Sequence, residues 1–463
     1  MVATLHAEPG ARPGVDNLIL VSSDTHIGPL MSQLREYCPP RYLDDFDAFT
    51  ADMEAQKDPS GAGELREAMA HLSQDEKEAL LAQFGDPSND NLVTQYMRNR
   101  RTPGHHDMNV RLADMDRDGL ACEIIFHGSQ NGEPIPFVVP HDLPAGLTTP
   151  FTFEGLDLEL AYAGMHMYNE WLADQCSMQP ERHVGLAYIP AWDPELCVRE
   201  VKWAHDSGLK GVNMPAWRPG MPILQDESWE PFYAICHELR MPLTNHGGAG
   251  DDRAWPVMEA TALRSMESAY HSKRLIWSLA FHGVFDRYPD LKLMISEIPG
   301  EWWAFLMREM DTSPGSPGRG VGFSIPGRKA PSEVCRTNVF HGATFMSRAE
   351  AEHAVAEDYW ENIVWGSDYP HTEGTWQFPA SDDEEPQTHL ALRDSFAGID
   401  EEIVRAMVGE NGIRAYGLDH DALQAVANRI CAPSYEEVDT PLATGDVPAN
   451  HGMFAFRTRG PWA

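Results

Sequence analysis

The sequence predicts a (β/α)8 barrel, and three observations carry that expectation. Eight short apolar runs end in turn or polar residues, as buried parallel strands do. Segments with helical spacing separate them, the alternation of a parallel barrel or a doubly wound sheet. No GxGxxG follows the first run, so the nucleotide-binding sheet lacks its signature and the barrel is preferred.

The runs are Leu18–His26, Cys122–His127, His183–Pro190, Gly208–Pro215, Met241–Gly247, Leu291–Glu297, Thr337–Phe345 and Glu361–Asp368. Val110–Asp118 reads as a helix, and Leu158–Met178 is long and amphipathic. Pro194–Ser207 opens behind Asp193, an N-cap with proline at the first helical position. Trp229–Leu239, Arg253–Ala280, Gly300–Asp311 and Ser347–Asp358 follow, the last with Ser347 and Glu350 spaced as a capping box.

Two stretches exceed a minimal barrel. An insertion over 31–114 follows the first strand, charged and helical in period at Gly61–Phe84 and polar at Arg98–Asp107. On that side of a barrel strand, a long insertion covers or shapes the active site. Beyond Asp419, Asp421–Ile430 reads as a helix, and then Pro, Gly and polar residues dominate. That tail is either an arm that packs on a neighbouring subunit or a loosely ordered end. The expected organisation is an N-terminal segment at 1–17, a barrel over 18–419 and an extension over 420–463.

Composition narrows the partners. With 463 residues, 42% of them hydrophobic, the chain can bury a large core, and a barrel with insertions takes that length as one domain. It carries 35 basic against 71 acidic residues, a net charge of −36. Such a surface repels nucleic acid and anionic membranes, which are recognised through Lys and Arg. The 7 cysteines are scattered, odd in number and without a CxxC pair, which fits a reducing compartment and argues against a disulfide scaffold or a cysteine zinc site. The start has no basic region followed by an apolar stretch, and no run approaches the roughly 18 apolar residues of a membrane span. A cytoplasmic protein is expected.

Catalytic groups of a barrel come from the C-terminal ends of its strands. Those ends carry Asp24, His26, His127, His246, Glu297, His341 and Asp368. One histidine alone would more often be a hydrogen-bonded structural residue; it is the convergence that points to chemistry. Asp24 and His26, one residue apart on an extended segment, share a face. His246 precedes two glycines, which let backbone approach a ligand closely. Asp368 ends the eighth strand, beside the first in a closed barrel. Two imidazoles and two carboxylates suit Zn2+ and also Mn2+ or Fe2+.

These residues lie in segments that resemble the amidohydrolase superfamily, specifically its family 2 with aminocarboxymuconate-semialdehyde decarboxylase and related aromatic acid decarboxylases. The matching segments are Ser22–Pro29, Ala113–Gly119, Asn169–Pro190, Gly208–Pro215, His246–Gly248, Gly283–Glu297, Val364–His371 and Gly409–Asp419, in the family's order. GVFDRYPDLK together with GSDYPH is the most specific part. The resemblance implies one divalent metal held by Asp24, His26, His246 and Asp368, zinc first among the metals, with Asp368 also relaying a proton. Several decarboxylases of the family use a histidine at the end of the sixth strand as acid/base. Here Glu297 stands in that place, leaving Glu297, His282 and His371 as acid/base candidates beside Asp368.

The resemblance thus implies a carbon–carbon lyase that decarboxylates a small carboxylated substrate. The aromatic residues Phe126, Trp302, Trp303 and Trp376, read as lining the mouth, suggest a planar one. The same site could instead hydrolyse an amide, ester or lactone with metal-activated water, or hydrate a double bond. A non-catalytic barrel is the reading from another class, and metal content separates it from the enzymes. A homodimer acting on a small molecule completes the expectation.

Overall fold

The computed structural model describes residues 16–56, 73, 98–138, 152–247, 260–298, 300–313, 328–344, 346–379, 381 and 383–443. Eight parallel strands form one sheet in sequence order: β1 Leu20–Ile27, β2 Leu120–His127, β3 His183–Tyr188, β4 Gly211–Asn213, β5 Leu243–His246, β6 Leu293–Ser296, β7 Val339–Thr344 and β8 Ile363–Gly366. The sheet closes on itself. Thr25 bridges Tyr369 in parallel, the His26 amide donates to the Tyr369 carbonyl at 2.6 Å, and the Asp368 amide donates to the Asp24 carbonyl at 2.9 Å. All eight apolar runs of the sequence are strands, so the barrel is the fold.

The α-helices of six residues or more among the described residues are α1 Leu43–Gln56, α2 Met108–Asp118, α3 Leu158–Cys176, α4 Pro194–Asp206, α5 Glu230–Glu238, α6 Ala260–His282, α7 Trp303–Thr312, α8 Pro331–Asn338, α9 Arg348–Ala356, α10 Gln387–Phe396, α11 Asn411–Tyr416 and α12 His420–Arg429. Side-chain caps start several of them. Asp107, Asp157 and Asp193 accept from the first free amides of α2, α3 and α4, and Ser347 with Glu350 forms the capping box of α9. Among the described residues no helix is long and apolar enough to cross a membrane.

Two apolar layers result. The larger lies between the strands and the surrounding helices. The smaller fills the barrel with Val21, Ile124, Phe126, Leu186, Met294, Phe340 and Val364, and is closed below by Ile413 and Tyr416 of α11 and Leu423 of α12. Asp421–Ile430 is therefore helical as read, and it caps the barrel floor of its own chain. Gly342 marks the interior: a Cβ there would lie 2.6 Å from Ser296 Oγ and 2.9 Å from Ser23 Oγ, on strands β6 and β1. The part of the insertion at Gly61–Phe84 lies outside the described residues, apart from Ser73.

A bulge in β1 sets the phase of the site. Ser22 pairs with Glu123 and Thr25 with Ile125, so three steps on β1 match two on β2. Val21 faces the interior, and unbroken alternation would bring Thr25 inward and turn Asp24 and His26 out. The extra residue reverses the phase.

Candidate active site

Asp24, His26, His246 and Asp368 meet at the C-terminal mouth of the barrel. His26 Nε2 lies 3.2 Å from Asp24 Oδ1, 3.2 Å from Asp368 Oδ1 and 3.2 Å from His246 Nε2. His246 Nε2 lies 3.5 Å from Asp24 Oδ1. The two carboxylate side chains are fully buried, whereas His246 and Glu297 keep 20% and 23% of theirs exposed, so the cluster opens to solvent past these two.

Backbone carbonyls decide which ring nitrogens point inward. His26 Nδ1 donates to the His127 carbonyl at 3.4 Å, and His246 Nδ1 to the Gly247 carbonyl at 2.6 Å. A carbonyl only accepts, so each Nδ1 carries the hydrogen and each Nε2 presents a lone pair. Two lone pairs then face each other beside Asp24 Oδ1, which is buried and without a hydrogen-bond partner, and beside Asp368 Oδ1. Such an assembly is repulsive unless a cation joins it. Separations of 3.2–3.5 Å are those of ligands sharing one ion at about 2.0–2.2 Å. The residues present therefore fit a divalent metal.

Supports around the cluster hold it in place. Thr344 Oγ1 donates to Asp24 Oδ2 at 2.8 Å, leaving Oδ1 for the cluster. His371 stacks on His26 with ring centroids 3.9 Å apart, its Nε2 donating to the Gly128 carbonyl and its Nδ1 3.1 Å from Asp368 Oδ1. Phe126 packs beneath both imidazoles, 5.9 Å from His26 and 4.9 Å from His246. Asp368 and Glu297 both adopt φ of 55°, the left-handed region that non-glycine residues avoid and that concentrates at functional sites.

The electrostatics are polarised. Burial would raise the Asp368 carboxyl, but His371 holds it below the ordinary carboxylate range. Burial lowers His371, yet Asp368 and Glu373 push it up to about 10. Glu297 goes the other way: burial, then the charges of Asp368, Asp24 and Glu373, raise its carboxyl well above the ordinary value. Its Oε2 lies 3.2 Å from His246 Nε2.

Glu297 and His371 thus join the cluster. His282 does not: it ends α6 in the helical layer, 3.6 Å from Glu230 at the start of α5, and its carbonyl accepts from Arg287. That acid/base assignment is corrected. The aromatic mouth is also corrected. Trp302 packs between Lys273 and His341, Trp303 against Tyr359 and Trp376 under Tyr369, so of the four only Phe126 touches the cluster. His341 and His127 point outward, to Trp302 and to Tyr168, for the same reason: alternation sends every second strand residue toward the helices. His105 is buried against Ser129 and the Asn99 carbonyl, a structural role.

Three contributors escaped the sequence reading. Glu373 groups with Glu297 and Asp368, held by Gln130 Nε2 at 2.8 Å. Thr344 orients Asp24. Arg111, buried on α2, grips Glu123 through Nε and Nη2 at 2.7–3.1 Å and donates from Nη1 to the His26 carbonyl at 2.7 Å. A charged residue amid the apolar positions of α2 was the available signal.

Known proteins share this architecture. The chain is 31% identical over 158 residues to gamma-resorcylate decarboxylase of Polaromonas sp. JS666, a stretch that covers 31% of this chain and 46% of that protein. The chain thus spans about half the length of the curated relatives it matches. The crystal structure of 5-carboxyvanillate decarboxylase from Sphingomonas paucimobilis superposes with a TM-score of 0.53 at 17% identity, covering 87% of this chain and 100% of that one. The Novosphingobium aromaticivorans 5-carboxyvanillate decarboxylase with bound manganese superposes with a TM-score of 0.54 at 18% identity, covering 87% and 97%. An amidohydrolase from Mycobacterium avium subsp. paratuberculosis K-10 gives 0.56 at 16% identity, covering 88% and 99%. The family model described as amidohydrolase matches residues 105–418, more than half of the chain, and the protein belongs to that family, amidohydrolase family 2.

Proposed function

We propose that the protein is a metal-dependent decarboxylase of a small aromatic carboxylic acid. One observation carries the metal: two imidazole Nε2 lone pairs 3.2 Å apart, facing the buried Asp24 Oδ1, which has no hydrogen-bond partner. Asp24, His26, His246 and Asp368 would hold a divalent ion, zinc or manganese, the second being the metal bound in a similar structure. Such an ion polarises a carboxylate and a neighbouring oxygen and stabilises negative charge that develops as carbon dioxide leaves. The aromatic substrate class comes from the relatives, gamma-resorcylate and 5-carboxyvanillate decarboxylases.

The chain's own residues do the rest. His246 and Glu297 border the open side, so substrate approaches past them. Glu297 Oε2 reaches the mouth from a strained strand end and would deliver the proton to the ring carbon that loses its carboxyl group. His371, stacked on His26 and beside Asp368, keeps both ligands oriented and their charge balanced. Phe126 closes the floor beneath the imidazoles and excludes water there.

The test supplies purified protein with manganese or zinc and offers 2,6-dihydroxybenzoate and 5-carboxyvanillate. Carbon dioxide release, lost on chelation, supports the reading. Formation of a new acid from esters or lactones, with no carbon dioxide from any carboxylated phenol, would replace it with a hydrolase.

A further inference from the structure

A second pocket opens on the opposite, N-terminal face of the barrel, between the starts of β5 and β6 and the end of α11. Its volume is about 260 Å³, and Arg240, Lys292, Arg414, Asp290 and Tyr416 are among its lining residues. Tyr416, buried, bonds Thr244 Oγ1 at 2.7 Å inside the barrel. The metal cluster lies at the other end of the strands.

The charge of this pocket runs against the whole molecule. The chain holds 71 acidic and 35 basic residues, yet three of the pocket residues are cations and one is an acid. Among the described residues no carboxylate lies within ion-pair distance of any of the three cations, and Asp290 is 3.6 Å from His237. In a protein with a twofold excess of acids, three neighbouring cations without a carboxylate partner are unexpected on composition alone.

Two of the cations are anchored in ways that leave donors free. Lys292 Nζ donates to the Thr337 carbonyl at 3.0 Å, which uses one of its three hydrogens. Arg414 Nη2 donates to the Glu361 carbonyl and to Asn411 Oδ1, and its guanidinium lies over the Phe340 ring at 5.3 Å. The remaining guanidinium donors are free to turn to a ligand. Burial lowers Lys292 below the ordinary lysine value; the Asp290 charge opposes this and the Arg414 charge adds to it. Arg240 supplies the third observation. It follows α5 with φ of 52°, the position after a helix where glycine is favoured, so its side chain stands where the backbone would prefer none.

We propose that this pocket binds a phosphate group, free or carried on a small metabolite, through Arg240, Lys292 and Arg414. A tetrahedral, multiply charged anion matches three cations that line one pocket from different elements, and the volume admits it with room for a small substituent.

The test measures binding of inorganic phosphate and of pyrophosphate to the full chain by calorimetry and thermal shift, at constant ionic strength against chloride. Saturable binding is expected, tighter for pyrophosphate. Arg240→Gly relieves the left-handed strain while removing a cation, and Lys292→Met keeps the apolar stem. Each should fold like the wild type and weaken phosphate about tenfold or more, the effect of one lost charge-assisted bond. Phosphate could also bind at the metal cluster, so His26→Ala/His246→Ala is measured beside them and should bind it unchanged. Three results would overturn the proposal: no saturable binding, wild-type affinity in the Arg240→Gly and Lys292→Met variants, or loss of binding in the double histidine variant. A metabolite source is distinguished from free phosphate by whether small phosphate monoesters bind more tightly than inorganic phosphate.

Discussion

Arg111 Nη1 donates to the main-chain carbonyl of His26 at 2.7 Å, so a buried guanidinium on α2 holds the turn of β1 that presents an imidazole to the cluster. The same guanidinium lies 4.7 Å above the Tyr369 ring, next in sequence to Asp368, and pairs with Glu123, which itself contacts His183 at 3.0 Å. One side chain thereby ties β1, β2 and the loop after β8 together. Removing it leaves Glu123 buried and uncompensated. Arg111→Met should lose about 3–5 kcal/mol of stability, and Arg111→Lys, lacking the fork, should weaken metal binding. Urea unfolding and metal titration check both, and a wild-type midpoint in Arg111→Met would show that the network contributes nothing.

The metal reading is checked by elemental analysis. About one divalent ion per chain is expected in the wild type, and the His26→Ala/His246→Ala double variant should lose it while keeping the far-ultraviolet signature of the barrel. Full retention in that variant would remove both histidines from the ligand set.

The carboxylates have separate roles. Glu297→Gln keeps the shape and should lower kcat at least about a hundredfold with metal still bound, the usual contribution of a positioned proton donor. Asp368→Asn should abolish turnover and also reduce metal content. If Glu297→Gln turned over normally, the proton would have to come from another group, and Glu373 would be the next to test.

Asp118 makes a prediction about pH. Burial pushes its carboxyl up to about 7, opposed by the hydrogen bond from Thr388. A folded value above the unfolded value near 4 means that its contribution is fully present below about pH 4 and is lost as pH rises through 7. In Asp118→Asn this decline should vanish, so the variant gains on the wild type between those limits. Thermal melts across the range decide it; parallel curves for the two proteins would rule the effect out.

The eight strands were legible in the sequence because a parallel strand buried on both faces is a short, almost unbroken apolar run. Asp24, His26, His246, Glu297 and Asp368 were legible because strand ends of a barrel converge, whatever the loops do. The local helix starts were equally plain: Asp193 and Ser347 cap where their own amides need an acceptor, which is a matter of neighbouring residues alone. Other features had no local signature. The bulge that turns Asp24 and His26 inward is defined by pairing with β2, nearly a hundred residues away. Trp302 packs on Lys273 and His341 and Trp376 on Tyr369, rather than lining the mouth, because packing between distant segments, not composition, assigns their faces. His282 lies at the far end of α6 because that helix must run the length of the barrel before β6 can begin. Arg111 reaches the cluster through the packing of α2 on β1 and β2, and Glu373 through the loop after β8. The sequence determined which elements form and which residues end the strands, since both follow from local burial and capping. The tertiary structure decided which side chains point at one another, since that depends on register and closure between segments distant in the chain.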